Sequence, residues 1–157
     1  MAALTYTVWR QCITGANLYG CYQGKKLVCS ASTAVLPSFP VTITTPANVL
    51  EYRQNPGQTI VPGCKNTVFS GKKRYAQVVY LGQGTHALQM GKTVITVSSR
   101  DGVWRFFQGE QLLAVLSHAK KVRQENWELR LGMTALEAMD PKILPLMLNF
   151  PLLQIGL

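Results

Sequence analysis

The sequence predicts a mainly β protein, an antiparallel β-barrel of about ten to twelve strands that encloses a buried hydrophobic C-terminal helix. Three observations predict it. Short runs rich in β-branched and aromatic residues recur about every ten residues, the spacing of an antiparallel meander. Glycine-bearing turn signals separate those runs. The last fifteen residues, Ile143 to Leu157, contain no charge. An all-apolar helix that follows a long meander is most economically placed along the axis of a closed barrel, because closure also removes exposed sheet edges.

The strands are read in order from about residue 4 to 131. Thr5–Ile13 is β-branched and aromatic, Leu27–Ser30 follows Gly24-Lys25-Lys26, and Val41–Thr45 is stopped at both ends by Pro40 and Pro46. Asn66–Phe69, Tyr75–Leu81, His86–Met90, Lys92–Ser98, Val103–Phe107, Gln111–Leu116 and Trp127–Leu131 complete a set of about ten. In the seventh run, Val94, Thr96 and Ser98 alternate with Thr93, Ile95 and Val97, which predicts one wet and one buried face. Ser70-Gly71, Gly82-Gln83-Gly84, Met90-Gly91, Asp101-Gly102 and Gln108-Gly109 supply the glycines that tight hairpins need, and Asp-Gly is among the strongest hairpin signals. Residues 46–64, with Pro46, Pro56 and Pro62, read as an extended loop or irregular strands.

The pattern changes near Leu136. Asp140-Pro141 is a helix start, an N-cap acid before a proline at the first helical position. From there the hydrophobicity runs all the way round, as in a helix buried on every side, and predicts a central helix over about 140–157. Pro145 falls in the first turn, where proline is tolerated, whereas Pro151 should kink or end the helix. The run of fifteen is shorter than the roughly 20 apolar residues of a bilayer span and holds Asn149 and Gln154, which favours burial inside protein over a tail anchor. With 157 residues and 47% hydrophobic content the chain is expected to form one domain over 1–157 with its own core.

Charge is unevenly distributed. Residues 1–100 hold ten basic side chains and one acid, Glu51, while residues 101–157 hold six of each, so the whole net charge of +9 belongs to the first part. A one-signed field favours nucleic acid, anionic headgroups or an acidic protein, and also simple solubility. Lys72-Lys73-Arg74, after Gly71, is the only run of three cations, and is expected to project from a turn towards a phosphate together with exposed backbone N–H groups. Lys25-Lys26 is a similar turn. Lys120-Lys121-Val122-Arg123 is diluted by Glu125 and Glu128 and reads as a solvated connection.

Enzyme chemistry has few candidates. There are seven acids, and His86 and His118 have no nucleophile or carboxylate at triad or metal spacing, so catalytic, cofactor and metal residues are predicted to be none. Cys12, Cys21, Cys29 and Cys64 lack a Cys-x-x-Cys pair and do not have zinc spacing. The N-terminus, Met1-Ala2-Ala3-Leu4-Thr5, has neither a basic region nor a long apolar one, which points to a cytoplasmic protein with reduced, mostly buried cysteines.

The order Tyr75-Ala-Gln-Val-Val-Tyr80, Asp101-Gly-Val-Trp-Arg-Phe106, Gly109-Glu-Gln-Leu-Leu-Ala-Val-Leu116, Trp127-Glu-Leu-Arg130 and then Met139-Asp-Pro-Lys-Ile-Leu-Pro145 resembles the organisation of the tubby C-terminal domain and its relatives, the phospholipid scramblases and LURP-one-related proteins. The resemblance covers roughly residues 66–157, and extends to the first half through strand content. It implies a barrel with an axial helix and, by way of the tubby domains, phosphoinositide binding through basic residues on one side. The scramblase calcium segment is not matched, since only Glu137 and Asp140 precede the helix and calcium takes six to eight oxygens.

The expectation is therefore a non-enzymatic, tubby-like, cytoplasmic domain, peripheral at a membrane, that binds anionic lipid headgroups or another polyanion through Lys72, Lys73, Arg74, Lys25 and Lys26. The alternatives are a binder of single-stranded nucleic acid, stacking bases on Tyr6, Trp9, Tyr19, Tyr22, Tyr75, Tyr80, Trp104, Phe106 and Phe107 beside a cationic groove, and a purely structural or partner-binding module.

Overall fold

Period-two alternation of apolar and polar side chains organises the chain into strands that each have one buried face. In the computed structural model, which describes residues 4–13, 16–34, 40–54, 58–118, 127–132 and 139–155, these strands form a single closed antiparallel barrel. They are β1 (Leu4–Ile13), β2 (Ala16–Gln23), β3 (Lys26–Ala34), β4 (Val41–Thr44), β5 (Val49–Arg53), β6 (Lys65–Ser70), β7 (Lys73–Gly82), β8 (Thr85–Met90), β9 (Thr93–Arg100), β10 (Val103–Gln108), β11 (Gln111–His118) and β12 (Trp127–Leu131). Each pairs with its sequence neighbours, and β1 closes on β12 in the register Leu4↔Leu131 to Val8↔Trp127. Register shifts at Cys21/Tyr22, Val68/Phe69, Tyr80/Gly82 and Phe106/Phe107 supply the local bends a closed wall needs.

The expected alternation in β9 is present: Ile95 and Val97 are fully buried while Val94 is exposed. The same rule sends Val8, Cys21, Cys29, Ile43, Leu50, Tyr52, Val68, Leu88, Phe106, Leu116 and Leu129 into the lumen. Two strands exceed the sequence-based set. β2 includes Asn17 and Gly20, which are poor strand formers. β5 lies inside the stretch read as an extended loop or irregular strands, and its alternation of exposed Val49 and Arg53 with buried Leu50 and Tyr52 is what docks it.

The lumen is filled by the C-terminal segment, but not as one continuous helix over 140–157. A 3₁₀ turn (Pro141–Ile143), a short α-helix α1 (Leu144–Leu148) and a second 3₁₀ turn (Phe150–Leu152) follow one another. The cause is local. The Asp140 carboxylate accepts the Lys142 N–H at 3.0 Å, and Pro145 sits in the first turn of α1 as expected. Asn149 then ends the helix by donating its side-chain amide to the Pro145 carbonyl at 2.8 Å, and Pro151 has no N–H with which to continue it. Ile143, Leu146, Met147, Phe150 and Leu153 are fully buried, and Phe150 meets the rings of His86 at 5.4 Å and Phe106 at 5.9 Å, both edge-on.

A broken helix leaves backbone groups unpaired, and each costs free energy when buried. Side chains of the wall supply the partners. Trp127 Nε1 donates to the Leu148 carbonyl at 2.7 Å, the Tyr52 hydroxyl donates to the Leu153 carbonyl at 2.6 Å, and the Tyr75 hydroxyl donates to the Lys142 carbonyl. Trp104 Nε1 reaches Gln154 Oε1 at 3.2 Å, and the Ile155 N–H donates to His86 Nε2 at 2.9 Å. The axis is thus fixed in rotation and height by strands far from it in sequence. Among the described residues, no helix is long and apolar enough to cross a membrane.

Candidate basic pole

In a meander whose neighbouring strands are all antiparallel, connections that follow even-numbered strands fall at one end of the barrel and those that follow odd-numbered strands at the other. The even end is the basic one. It receives Gly24-Lys25 between β2 and β3, Gly71-Lys72 between β6 and β7, Gly91-Lys92 between β8 and β9, and Gly109-Glu110 between β10 and β11. The glycines of these four two-residue hairpins lie at φ of 62°, 62°, 58° and 61°. Glycine with positive φ at the first central position is the demand of a type II′ hairpin. At the opposite end, Gln83-Gly84 and Asp101-Gly102 both have positive φ at each central residue, the type I′ pattern that Asp-Gly signals in the sequence.

Lys26, Lys73 and Arg74 extend the basic turns into β3 and β7, and the axis begins at the same end with Lys142, whose carbonyl meets Tyr75. The pole therefore gathers Lys25, Lys26, Lys72, Lys73, Arg74, Lys92 and Lys142 against Glu110 and Asp140, with Glu51 in register with Arg74 through Phe69, and Arg130 near the same end of β12 lies 3.5 Å from Glu128. All seven cations are exposed, and none has an ion-pair partner among the described residues. Arg10, Arg53, Lys65 and Arg100 lie towards the other end, where Arg53 bonds Glu51 at 3.2 Å and covers the Phe69 ring at 5.0 Å.

The candidate cations are brought to one pole, with one difference from expectation. Only Lys72 occupies the turn, because Lys73 and Arg74 are already paired in β7 with Ser70 and Phe69, so the three do not share a nest of free backbone N–H groups. Arg74 instead lines a surface groove of about 300 Å³ with Tyr75, Ala76, Gln77, Gln89 and Gly91. The lining includes one guanidinium and two carboxamide side chains, a donor set suited to phosphate oxygens. Burial, with the Asp140 charge adding to it, pushes the Tyr75 phenol up and keeps it a donor. Lys120, Lys121 and Arg123 lie outside the described residues, as do Glu125 and Glu137.

Apolar side chains share the pole. Leu27, Val49, Val94 and Leu112 stand within the first two residues of the strands that leave it, each 45–54% exposed. The sequence reading missed Lys92, Lys142 and these four.

The remaining candidates are explained by packing. Tyr6, Tyr19, Trp104 and Phe106 are core residues, and of the nine aromatics considered for base stacking only Trp9 is exposed, on the outer wall of β1. His118 packs its ring on Trp104 with centroids 5.4 Å apart. His86 is buried, and burial pushes its pKa down against a smaller opposing effect of the Ile155 carbonyl, 3.2 Å from Nε2. Nε2 lies 2.9 Å from the Ile155 N–H and 3.2 Å from the Ile155 carbonyl, so it accepts from one or donates to the other according to the tautomer, and Nδ1 is a buried atom with no hydrogen-bond partner among the described residues. Cys21 and Cys29 are free and buried, and Cys64 is free and half-buried. No three His, Cys, Asp or Glu side chains converge into a cluster fit for a metal among the described residues.

Comparison of the chain with protein-family models, with curated proteins and with solved structures returned no match.

Proposed function

We propose that this is a non-enzymatic, tubby-like barrel, cytoplasmic and peripheral at membranes, whose basic pole associates reversibly with anionic lipid headgroups or another surface polyanion. The observation that carries this reading is the convergence of three glycine-lysine hairpins on one end of the barrel, with Lys26, Lys73, Arg74 and Lys142 beside them. Unpaired exposed cations keep their field available to a partner, and each basic residue near an anionic bilayer contributes about 1 kcal/mol of attraction. Leu27, Val49, Val94 and Leu112 favour a headgroup layer over nucleic acid, since they have apolar depth to enter in one and only phosphates to meet in the other. The burial of Tyr6, Tyr19, Trp104 and Phe106 also removes four of the nine stacking platforms that a single-strand binder would use.

The test is co-sedimentation with vesicles of neutral lipid, with and without anionic lipid, at low and high salt. Binding only to anionic vesicles, weakened by salt and abolished by combined Lys25→Glu, Lys72→Glu and Lys92→Glu substitution, is expected. Equal partitioning to both vesicle types, or full binding by the reversed variant, would sink the proposal. A salt-steep anisotropy change with an oligonucleotide and no vesicle binding would favour nucleic acid instead.

A further inference from the structure

The β2–β3 ladder places Cys21 directly opposite Cys29, both facing the lumen, beside a register shift. Opposed residues of an antiparallel pair have Cα atoms about 4.5–5.5 Å apart, inside the 4.4–6.8 Å range of disulfides. The third member of this cluster is Asn149 of the axis, itself fully buried. Cys21 Sγ–H donates to Asn149 Oδ1 at 3.6 Å, and Asn149 Nδ2 reaches Cys29 Sγ at 3.8 Å while holding the Pro145 carbonyl at 2.8 Å. The two thiols and the carboxamide therefore hold the residue at which the axial helix ends. None of the three belongs to the basic pole.

We infer that Cys21 and Cys29 are a modification site: a two-electron oxidant of the hydroperoxide class converts them to a cross-strand disulfide, and this loosens the axial segment by removing the donor to Asn149. Cys29 is the attacking sulfur. It accepts from the Asn149 Nδ2 amide at 3.8 Å, which favours its thiolate, whereas Cys21 gives its only S–H to Asn149 Oδ1. Cys29 gives up its proton and the thiolate attacks a peroxide oxygen; the O–O bond breaks, a sulfenic acid forms, and the hydroxide released takes that proton as water. Cys21 sulfur then attacks the sulfenic sulfur, the S–S bond forms, the S–O bond breaks, and the Cys21 proton leaves with the departing hydroxide as water. Two thiols and one hydrogen peroxide become one disulfide and two waters, with both electrons passing from sulfur to peroxide oxygen. The disulfide has no S–H, so Asn149 Oδ1 is left buried without its donor.

The experiment treats the folded, full-length chain with hydrogen peroxide, blocks remaining thiols, and maps peptides by mass. A peptide pair joined through Cys21 and Cys29, lighter by two hydrogen atoms and reversed by dithiothreitol, is expected. Amide hydrogen exchange at Asn149, Leu152, Leu153 and Gln154 should then be at least about tenfold faster in the oxidised protein, the factor of one lost buried donor. In a Cys21→Ala/Cys29→Ala variant, peroxide should leave exchange there unchanged. If that variant does not fold, oxidised and reduced wild type provide the comparison. No disulfide in the folded protein, a bond between other cysteines, or a Cys21–Cys29 bond with unchanged exchange would each overturn the inference.

Discussion

Replacing Tyr52 by Phe tests whether the wall holds the axis through hydrogen bonds rather than through apolar contact alone. The ring of Tyr52 is fully buried and stays in the variant, so packing is preserved and only one oxygen is lost. That oxygen donates to the Leu153 carbonyl at 2.6 Å and accepts from Asn66 Nδ2 at 3.0 Å. Burial pushes the phenol up to about 12, against the Asn66 hydrogen bond, so it remains protonated and a donor across the neutral range. The Leu153 carbonyl has no other donor among the described residues, and Asn66 Oδ1 is already without one. Leaving a buried polar group unpaired costs about 1–3 kcal/mol, and the variant strands one carbonyl and one amide whose side chain retains some freedom to turn, giving about 2–4 kcal/mol in all. With a urea m-value of about 2 kcal/mol/M for a chain of this size, the unfolding midpoint should fall by about 1–2 M. Tryptophan fluorescence during urea titration reads this directly, because Trp104 and Trp127 both contact the axis. Asn66→Ala completes a double-mutant cycle, and the double variant should cost about 1 kcal/mol less than the sum of the singles. A midpoint shift below about 0.3 M with an additive cycle would refute the idea that the wall anchors the axis by these bonds.

Three further outcomes are expected. Deleting 140–157 removes Ile143, Leu146, Met147, Leu148, Phe150 and Leu153 from the core; at about 1.5–3 kcal/mol each the loss of about 9–18 kcal/mol is as large as a typical domain stability of about 5–15 kcal/mol, so the truncated chain should show no cooperative melt in near-ultraviolet circular dichroism. Because the pKa of His86 is depressed by folding, the unfolded chain binds the extra proton first, and stability present above about pH 6.5 should be lost on acidification by about 1.4 kcal/mol per pH unit until the folded-state pKa is reached. Thermal melts from pH 8 to 5 check this, and His86→Gln should flatten the profile over that window. Gly84→Ala should lower the melting temperature more than Gly24→Ala, since both have positive φ but a Cβ at Gly84 would lie 2.9 Å from the Ser99 carbonyl oxygen while one at Gly24 meets nothing within 4 Å; equal melting temperatures would contradict this.

Local rules carried the reading of the barrel a long way. Asp101-Gly102 makes the hairpin its dipeptide signals, and Thr93–Ser98 alternates as written. β2 escaped because Gly20 looks like a break, although its missing side chain makes room for Tyr22, whose ring carbon would lie 2.8 Å from a Cβ there. β5 was left within a stretch read as an extended loop or irregular strands because Glu51 and Arg53 put charge between the prolines, although both project outward. These two omissions also hid the site. Without β2 and β5 the Lys25 turn follows the first strand and the Lys72 turn the fourth, which assigns them to opposite ends; counted with both strands they follow β2 and β6 and share one. The axis was legible as buried, and Pro151 as the place where its helix kinks or ends, but not as a five-residue helix between two 3₁₀ turns. Its hydrogen bonds come from Tyr52, Tyr75, His86, Trp104 and Trp127, and no sequence pattern couples positions so far apart.

The hairpins of the basic pole divide labour between their two residues. Glycine carries the backbone conformation, and its partner, Lys25, Lys72, Lys92 or Glu110, keeps an ordinary negative φ and projects into solvent. Mutation at the second position is thereby decoupled from folding, so the sign and density of charge on this surface can drift without disturbing the barrel beneath it. Glu110, in the same geometry as three lysines, shows that an acid is accommodated there. Surface charge among barrels of this construction is accordingly free to change one turn at a time, while the lumen, where Tyr52, Asn66, His86 and Asn149 must match their partners, changes only in concert.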